Sequence, residues 1–203
     1  HYLVLENGFI NEYSYKNGKK ERSVLSSVDI KIDKDGNNPL IDEFWLSNDE
    51  KKILCSYDTE QIYRRSSASK YFVWDIENAK TYVLANEGKQ RLAEFSPDGN
   101  KIAFVANNNL YYKDLTNNNI IQITSDGEFN KIIYGATDWV YEEEFEFSKG
   151  FFWSPDGNSI AYYRFDESKV KEYTMELYGD LYPELYKFKY PKAGEDNSIV
   201  DIF

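Results

Sequence analysis

An all-β fold, a partial β-propeller of about four antiparallel blades, is what this 203-residue sequence predicts. Three observations carry the prediction. The phrase FSPDGNKIAFV from Phe95 returns as WSPDGNSIAYY from Trp153, with a weaker copy, WLSNDEKKILCSY, from Trp45. Aligned on Ser47, Ser96 and Ser154, the copies lie 49 and 58 residues apart. Each begins with a turn signal and runs into an apolar strand, and each interval holds about four short strands. That period marks a propeller blade; an irregular sandwich explains the turns but not the repeat. Composition agrees, since 18 Tyr and 13 Phe against one Met favour strands over helices.

Taken in order, ENGFINEYSYKNGKKERSVL reads as a degenerate first blade. KIDKDGNNPLID, residues 31–42, sets Asp33, Asp35 and Gly36 as a calcium loop would. Lys31 stands at its first ligand position and Asp42 rather than Glu at its last, so it reads as a turn. After the Trp45 copy, KYFVWDI and KTYVLAN supply two more strands; after the Phe95 copy, NLYYKDL and NIIQITSDG do the same. The Asn runs at 107–109 and 117–119 read as a loop and a hairpin turn. Ile102–Val105 and Ile160–Tyr163 are expected to be equivalent strands. The fourth repeat is incomplete and ends in SIVDIF, while the chain opens on His1 without a signal-peptide pattern. Both ends read as cut from a longer protein, with further blades outside this chain.

The intervals are uneven in an informative way. Ser96 to Asp114 spans 18 residues but Ser47 to Asp75 spans 28, an excess that falls at TEQIYRRSSAS with Arg64 and Arg65. Gly88 precedes its Ser by 8 residues and Gly127 precedes Ser154 by 27, an excess that contains DWVYEEEFE. Insertions in repeat folds become loops gathered on one face, often the binding face. Both charged clusters therefore lie in insertions.

Composition removes several function classes. A net charge of −11 opposes a nucleic-acid partner, because phosphates demand a basic surface. Cys55 and His1 are the sole residues of their types. No disulfide, no Cys-based or ordinary zinc site and no Ser-His-Asp or Cys-His catalysis can be assembled from this chain alone, and no other metal or cofactor site is expected. No apolar run approaches the ~20 residues of a membrane-spanning helix.

The acidic run Glu142, Glu143, Glu144 has two local readings. As a strand it places Trp139, Tyr141, Phe145 and Phe147 on one face and Glu142, Glu144 and Glu146 opposite, with Glu143 among the aromatics. As a helix it is capped by Asp138, and its acids lie near a positive N-terminus. Either way the run is a capping and solvated feature, or a carboxylate pair set to receive an ammonium group. Such an attraction is worth roughly 1–4 kcal/mol per close pair. Arg64 and Arg65 are likewise either a solvated hairpin tip or a guanidinium fork for carbonyl or carboxylate oxygens.

YGATDWVYEEEFEFSKGFFWSPDGNSIAYYRFDES, followed by YPELYKFKYPKAGEDNS, closely resembles the N-terminal propeller of the dipeptidyl peptidase IV family, most of all its bacterial branch with the prolyl tripeptidyl peptidases. The likeness covers most of the chain and is strongest from residue 95 to 200. It implies that residues 1–203 are the N-terminal part of an eight-bladed propeller that covers an α/β-hydrolase domain outside this chain. It implies a short helix, inserted in the fourth blade, whose Glu143 and Glu144 hold the free amino terminus of a peptide substrate. YRRSSASKYFVWDI is similar to the stretch with the family's arginine, which falls on Arg64 and by that resemblance pairs with the glutamates and contacts a substrate carbonyl near the amino end; Arg65 is its neighbour in sequence. The family's serine, aspartate and histidine match nothing here, for no G-x-S-x-G occurs, so the chain alone is expected to be inactive. Removal of N-terminal di- or tripeptides after proline, a periplasmic or cell-envelope location and homodimerisation are further implications. The competing class is a non-enzymatic periplasmic propeller scaffold, which accounts for the repeats but not for the paired insertions.

Overall fold

A computed structural model describes residues 1–26, 30, 32 and 39–203. The described residues form antiparallel β-sheets and one short helix. The first sheet is the meander β1 (Tyr2–Glu6), β2 (Phe9–Tyr13) and β3 (Lys20–Ser26). The second is β4 (Ile41–Leu46), β5 (Lys52–Gln61), β6 (Ser67–Asp75) and β7 (Lys80–Val83), paired in that order. The third repeats the pattern with β8 (Arg91–Phe95), β9 (Lys101–Ala106), β10 (Asn109–Asp114) and β11 (Asn119–Gln122). The expected turn around Asp33, Asp35 and Gly36 lies outside the described residues. Among the described residues, no helix is long and apolar enough to cross a membrane.

In the fourth sheet one strand is broken. β14 (Ile160–Asp166) carries β12 (Ile132–Tyr134) and β13 (Phe151–Trp153) in succession, β12 on 164–166 and β13 on 160–162. β17 (Ile199–Ile202) also pairs with β14. Between the two half-strands the chain leaves the sheet, forms α1 (Trp139–Phe145) and returns. The neck of this excursion is pinched shut: Gly150 N–H donates to Gly135 O at 3.0 Å and Thr137 N–H to Ser148 O at 3.1 Å. Glycine gives room for the close approach at both sides of the neck. A Cβ on Gly150 would lie 3.2 Å from the Gly135 carbonyl carbon, and Gly135 has φ +69° with Leu110 3.0 Å from where its Cβ would be. A second excursion, the hairpin β15 (Glu172–Leu177) and β16 (Glu184–Lys189), separates β14 from β17.

The central strands bury both faces, and alternation sends their side chains to different neighbours. Ile53, Cys55 and Phe72, with Ile41 of their own sheet, pack towards Ile10 and Leu25 of the first. Leu54, Tyr71 and Val73 pack towards the third with Ile102 and Phe104. Ala103 and Val105 in turn face Ile133, Phe151 and Phe165 of the fourth. The sheets are therefore stacked face to face in chain order. Cys55 is fully buried and burial pushes its thiol well up, so it is an inert core residue.

The repeated turns have one construction. Ser47, Ser96 and Ser154 each donate Oγ–H to Asp49, Asp98 and Asp156 and accept the N–H five residues on, at 2.9–3.0 Å. The fourth position is left-handed in all three: Gly99 at φ 67°, Gly157 at 68° and, in the degenerate copy, Glu50 at 58°. Successive turns touch, since Asn48 Nδ2 donates to Pro97 O at 2.9 Å and Lys101 Nζ to Gly157 O at 3.0 Å.

Candidate functional site

Of the two local readings of the acidic run, the helical one is correct. Asp138 is extended at φ −76°, ψ 177° and accepts the Tyr141 N–H at 3.0 Å, which makes it the N-cap. Its other oxygen accepts the Ser198 hydroxyl, tying the helix to the segment before β17. Burial raises the Asp138 carboxyl above its ordinary value, while the hydroxyl and the backbone N–H groups of Tyr141 and Val140 draw it down. Glu146 ends the helix in a left-handed conformation, φ 61°.

Aromatic side chains fix the helix to what surrounds it. Tyr141 meets Phe165 of the core edge-on, with centroids 4.8 Å apart. Trp139 lies 4.6 Å from Tyr190 and 6.0 Å from Phe188 on the β15–β16 excursion. Phe188 also meets Tyr63, 6.1 Å away, from the arginine turn. Both insertions and the hairpin thus share one aromatic cluster.

The arginine insertion lengthens the β5–β6 hairpin beyond a bulge between Tyr57 and Glu60, and Arg64 and Arg65 sit at its tip. Gln61 holds the tip by donating its amide to the carbonyls of Tyr63 and Arg64, and Ile62 N–H closes onto Ser66 O at 2.8 Å. This tip meets the helix. Arg64 Nε stands 3.3 Å from Glu143 Oε2, and Arg65 stands 3.0 Å from Glu146 Oε1. Residues about eighty apart in sequence are thereby joined.

The three glutamates of the run differ sharply in environment. Glu142 is 0% exposed, and its Oε1 accepts the backbone N–H groups of Arg65 at 2.7 Å and Ser66 at 2.9 Å. Glu143 keeps 14% of its side chain exposed, beside an Arg64 side chain that is 73% exposed. Glu144 is exposed. An ion pair with so exposed a partner contributes at most about 1 kcal/mol, so the Arg64–Glu143 contact is readily exchanged for another. A cavity of about 500 Å³ opens beside the tip, lined among others by Trp45, Arg65, Ser66, Glu94 and Lys149. Arg64, Glu143 and Glu144 are not among its lining residues.

Sequence reasoning singled out Glu143 and Glu144 and passed over Glu142. The signal was present, because on a helix Glu142 falls one turn after Trp139, on the half-buried face. Arg91 was also missed. It starts β8, its Nε and one terminal nitrogen are buried without a hydrogen-bond partner, and burial lowers it from its ordinary value. The Glu142 carboxylate opposes that lowering most strongly, ahead of Tyr63 and Tyr71. Nothing in QRLAEF announces it.

Comparison with known proteins bears on what this arrangement serves. The family described as "Dipeptidyl peptidase IV (DPP IV) N-terminal region" matches residues 47–203. The chain belongs to the dipeptidyl peptidase IV family. A probable dipeptidyl-aminopeptidase B of Pyrenophora teres f. teres is 35% identical over 215 residues, covering 98% of this chain and 23% of the relative. Its counterpart in Metarhizium robertsii is 38% identical over 173 residues, 77% of this chain and 19% of the relative. The crystal structure of Porphyromonas gingivalis dipeptidyl peptidase 4 superposes with a TM-score of 0.90 and 38% identity, over 100% of this chain and 29% of that one. The chain thus spans about a fifth to a quarter of the curated relatives it matches. It is a dipeptidyl peptidase IV-type N-terminal region, rich in β-structure, from a family of peptidases.

Proposed function

We propose that this chain is the substrate-recognition part of a serine exopeptidase that removes N-terminal di- or tripeptides after proline. In this reading the stacked sheets are successive blades of a β-propeller that continues outside residues 1–203 and packs on an α/β-hydrolase domain. That domain carries the serine, aspartate and histidine. A periplasmic or cell-envelope location and a homodimer accompany the reading.

Glu143 and Glu144 hold the free ammonium of the peptide, and Arg64 takes a carbonyl oxygen near that end. The observation that carries the proposal is the Arg64–Glu143 contact between two separate insertions. A scaffold has no need to bring an exposed arginine and a carboxylate together from insertions about eighty residues apart for at most about 1 kcal/mol. When the site is empty, Arg64 offsets the repulsion among the acids; when a peptide arrives, its ammonium takes over that role. A fixed anion at a set distance from the cut bond then selects peptides by the length of their N-terminal piece.

The test is kinetic and uses the full-length protein. Glu143→Gln or Glu144→Gln keeps the shape and removes the charge. Loss of a charge-assisted hydrogen bond costs about 1.5–3 kcal/mol, a ten- to hundredfold fall in kcat/KM on a free-amine peptide. Glu146→Gln, whose partner is Arg65, should change little. An N-acetylated peptide should be a poor substrate for the wild type and lose little further in the variants. Equal losses on free and acetylated peptides would show that the glutamates serve folding.

A further inference from the structure

The first glutamate of the run is built unlike the two that follow. Glu142 is the one acid of α1 that is fully buried, and one of its oxygens accepts two successive N–H groups of the arginine tip. Those two donors, Arg65 and Ser66, directly follow Arg64 in the chain. A carboxylate that accepts two backbone N–H groups fixes the peptide planes it touches, and so fixes the direction in which the preceding side chain leaves. The second oxygen, Oε2, is buried and makes no hydrogen bond. Two guanidinium nitrogens of Arg91 are likewise buried without a hydrogen-bond partner, and of the charged groups around Arg91 the Glu142 carboxylate most opposes its lowering by burial, so each group is left short of partners near the other.

We infer that Glu142 is a positioning residue, which pins the tip of the β5–β6 hairpin to α1 and thereby sets Arg64 against Glu143. The role of Glu142 is distinct from that of its neighbours. Glu143 and Glu144 remain free to meet a ligand because the link between the two insertions does not depend on them. Arg64 can leave Glu143 without the tip leaving the helix, because its backbone neighbours stay bound to Glu142. Specificity for a free amino terminus then depends on a residue that never touches the peptide. The effect on substrate rests on the ammonium reading above; the pinning itself does not.

Three variants of the full-length protein separate these roles: Glu142→Ala, Glu142→Gln and Glu142→Ala combined with Arg91→Met. In Glu142→Ala the amides of Arg65 and Ser66 should exchange with solvent deuterium at least about tenfold faster, since each loses its acceptor. kcat/KM on a free-amine peptide should fall about tenfold or more, mostly through KM, with less than about a twofold change on the N-acetylated peptide. Glu142→Gln keeps an amide oxygen for both N–H groups and should restore slow exchange and most of the KM. The double variant removes the uncompensated arginine, so it should regain thermal stability while KM stays high. Unchanged exchange in Glu142→Ala, or recovery of both stability and KM in the double variant, would overturn the proposal and leave Glu142 as a partner for Arg91 alone. Fast exchange together with equal kinetic losses on both peptides would keep the pin and discard the ammonium reading.

Discussion

The repeated turns and the inserted site are both built from carboxylates, yet they treat them in opposite ways. In the turns, Asp98 and Asp156 are held below their usual range, Asp156 at about 2, chiefly by the serine hydroxyl two residues earlier and by nearby N–H groups. Every partner lies within five residues, so the turn is specified by its own hexapeptide. At the site, Asp138 is raised by burial, as is Glu167, buried just after β14 where it feels Asp138 and reaches about 7, and Glu142 finds its partners 76 and 77 residues away. A turn carboxylate is thus satisfied locally and exposed, whereas Glu142, which ties the site together, is buried and depends on partners distant in sequence. The difference teaches that the site is assembled by the stacking of the sheets and cannot form before it.

The largest expected effect breaks the scaffold side of the comparison. Phe151 is fully buried at the neck beneath the excursion, and Phe151→Ala should cost about 3–5 kcal/mol of stability. Arg64→Ala, at an exposed tip, should cost less than about 1 kcal/mol while it impairs handling of free-amine peptides. Denaturant melts of the two variants check this; equal losses would mean that the arginine tip is part of the scaffold.

A smaller effect should appear in the dependence of stability on pH. Glu167 is raised from its ordinary 4.5 to about 7, first by burial, then by Asp138 and Asp166, with Lys189 drawing it down. A carboxyl whose folded value is raised binds its proton more tightly in the native state. Its contribution is therefore present in full below about 4.5 and is lost as pH rises through about 7. Melting temperatures of Glu167→Gln should stay level across that window and exceed those of the wild type above it. Parallel curves for the two proteins would show that burial at Glu167 does not matter to folding.

How much of this was legible in the sequence follows from the same contrast. The turns at Ser47, Ser96 and Ser154 were readable because their hydrogen bonds close within a short phrase. The strands Ile102–Val105 and Ile160–Tyr163 fell within β9 and β14, at equivalent places after those turns. The apolar stretches LC and IAFV are unbroken rather than alternating because the sheets on either side of them cover both faces. The excess residues around Arg64 and Glu143 were countable, so the insertions were found. Their meeting was implied by the family resemblance alone, and the Arg64–Glu143 contact agrees with it, since no local pattern records a contact between residues 64 and 143. Glu142 and Arg91 were missed for the same reason: a buried charge is recognised by its partners, and these are distant in sequence.

The central claim is that Glu143, Glu144 and Arg64 form a receptor for a peptide's amino end. The most direct measurement is a crystal structure of the full-length protein with a free-amine peptide bound. The account predicts the peptide ammonium about 3 Å from the Glu143 and Glu144 carboxylates, with Arg64 turned from Glu143 to a peptide carbonyl and the Glu142 bonds to Arg65 and Ser66 intact. A peptide whose amino end lies elsewhere, with the Arg64–Glu143 pair undisturbed, would contradict it.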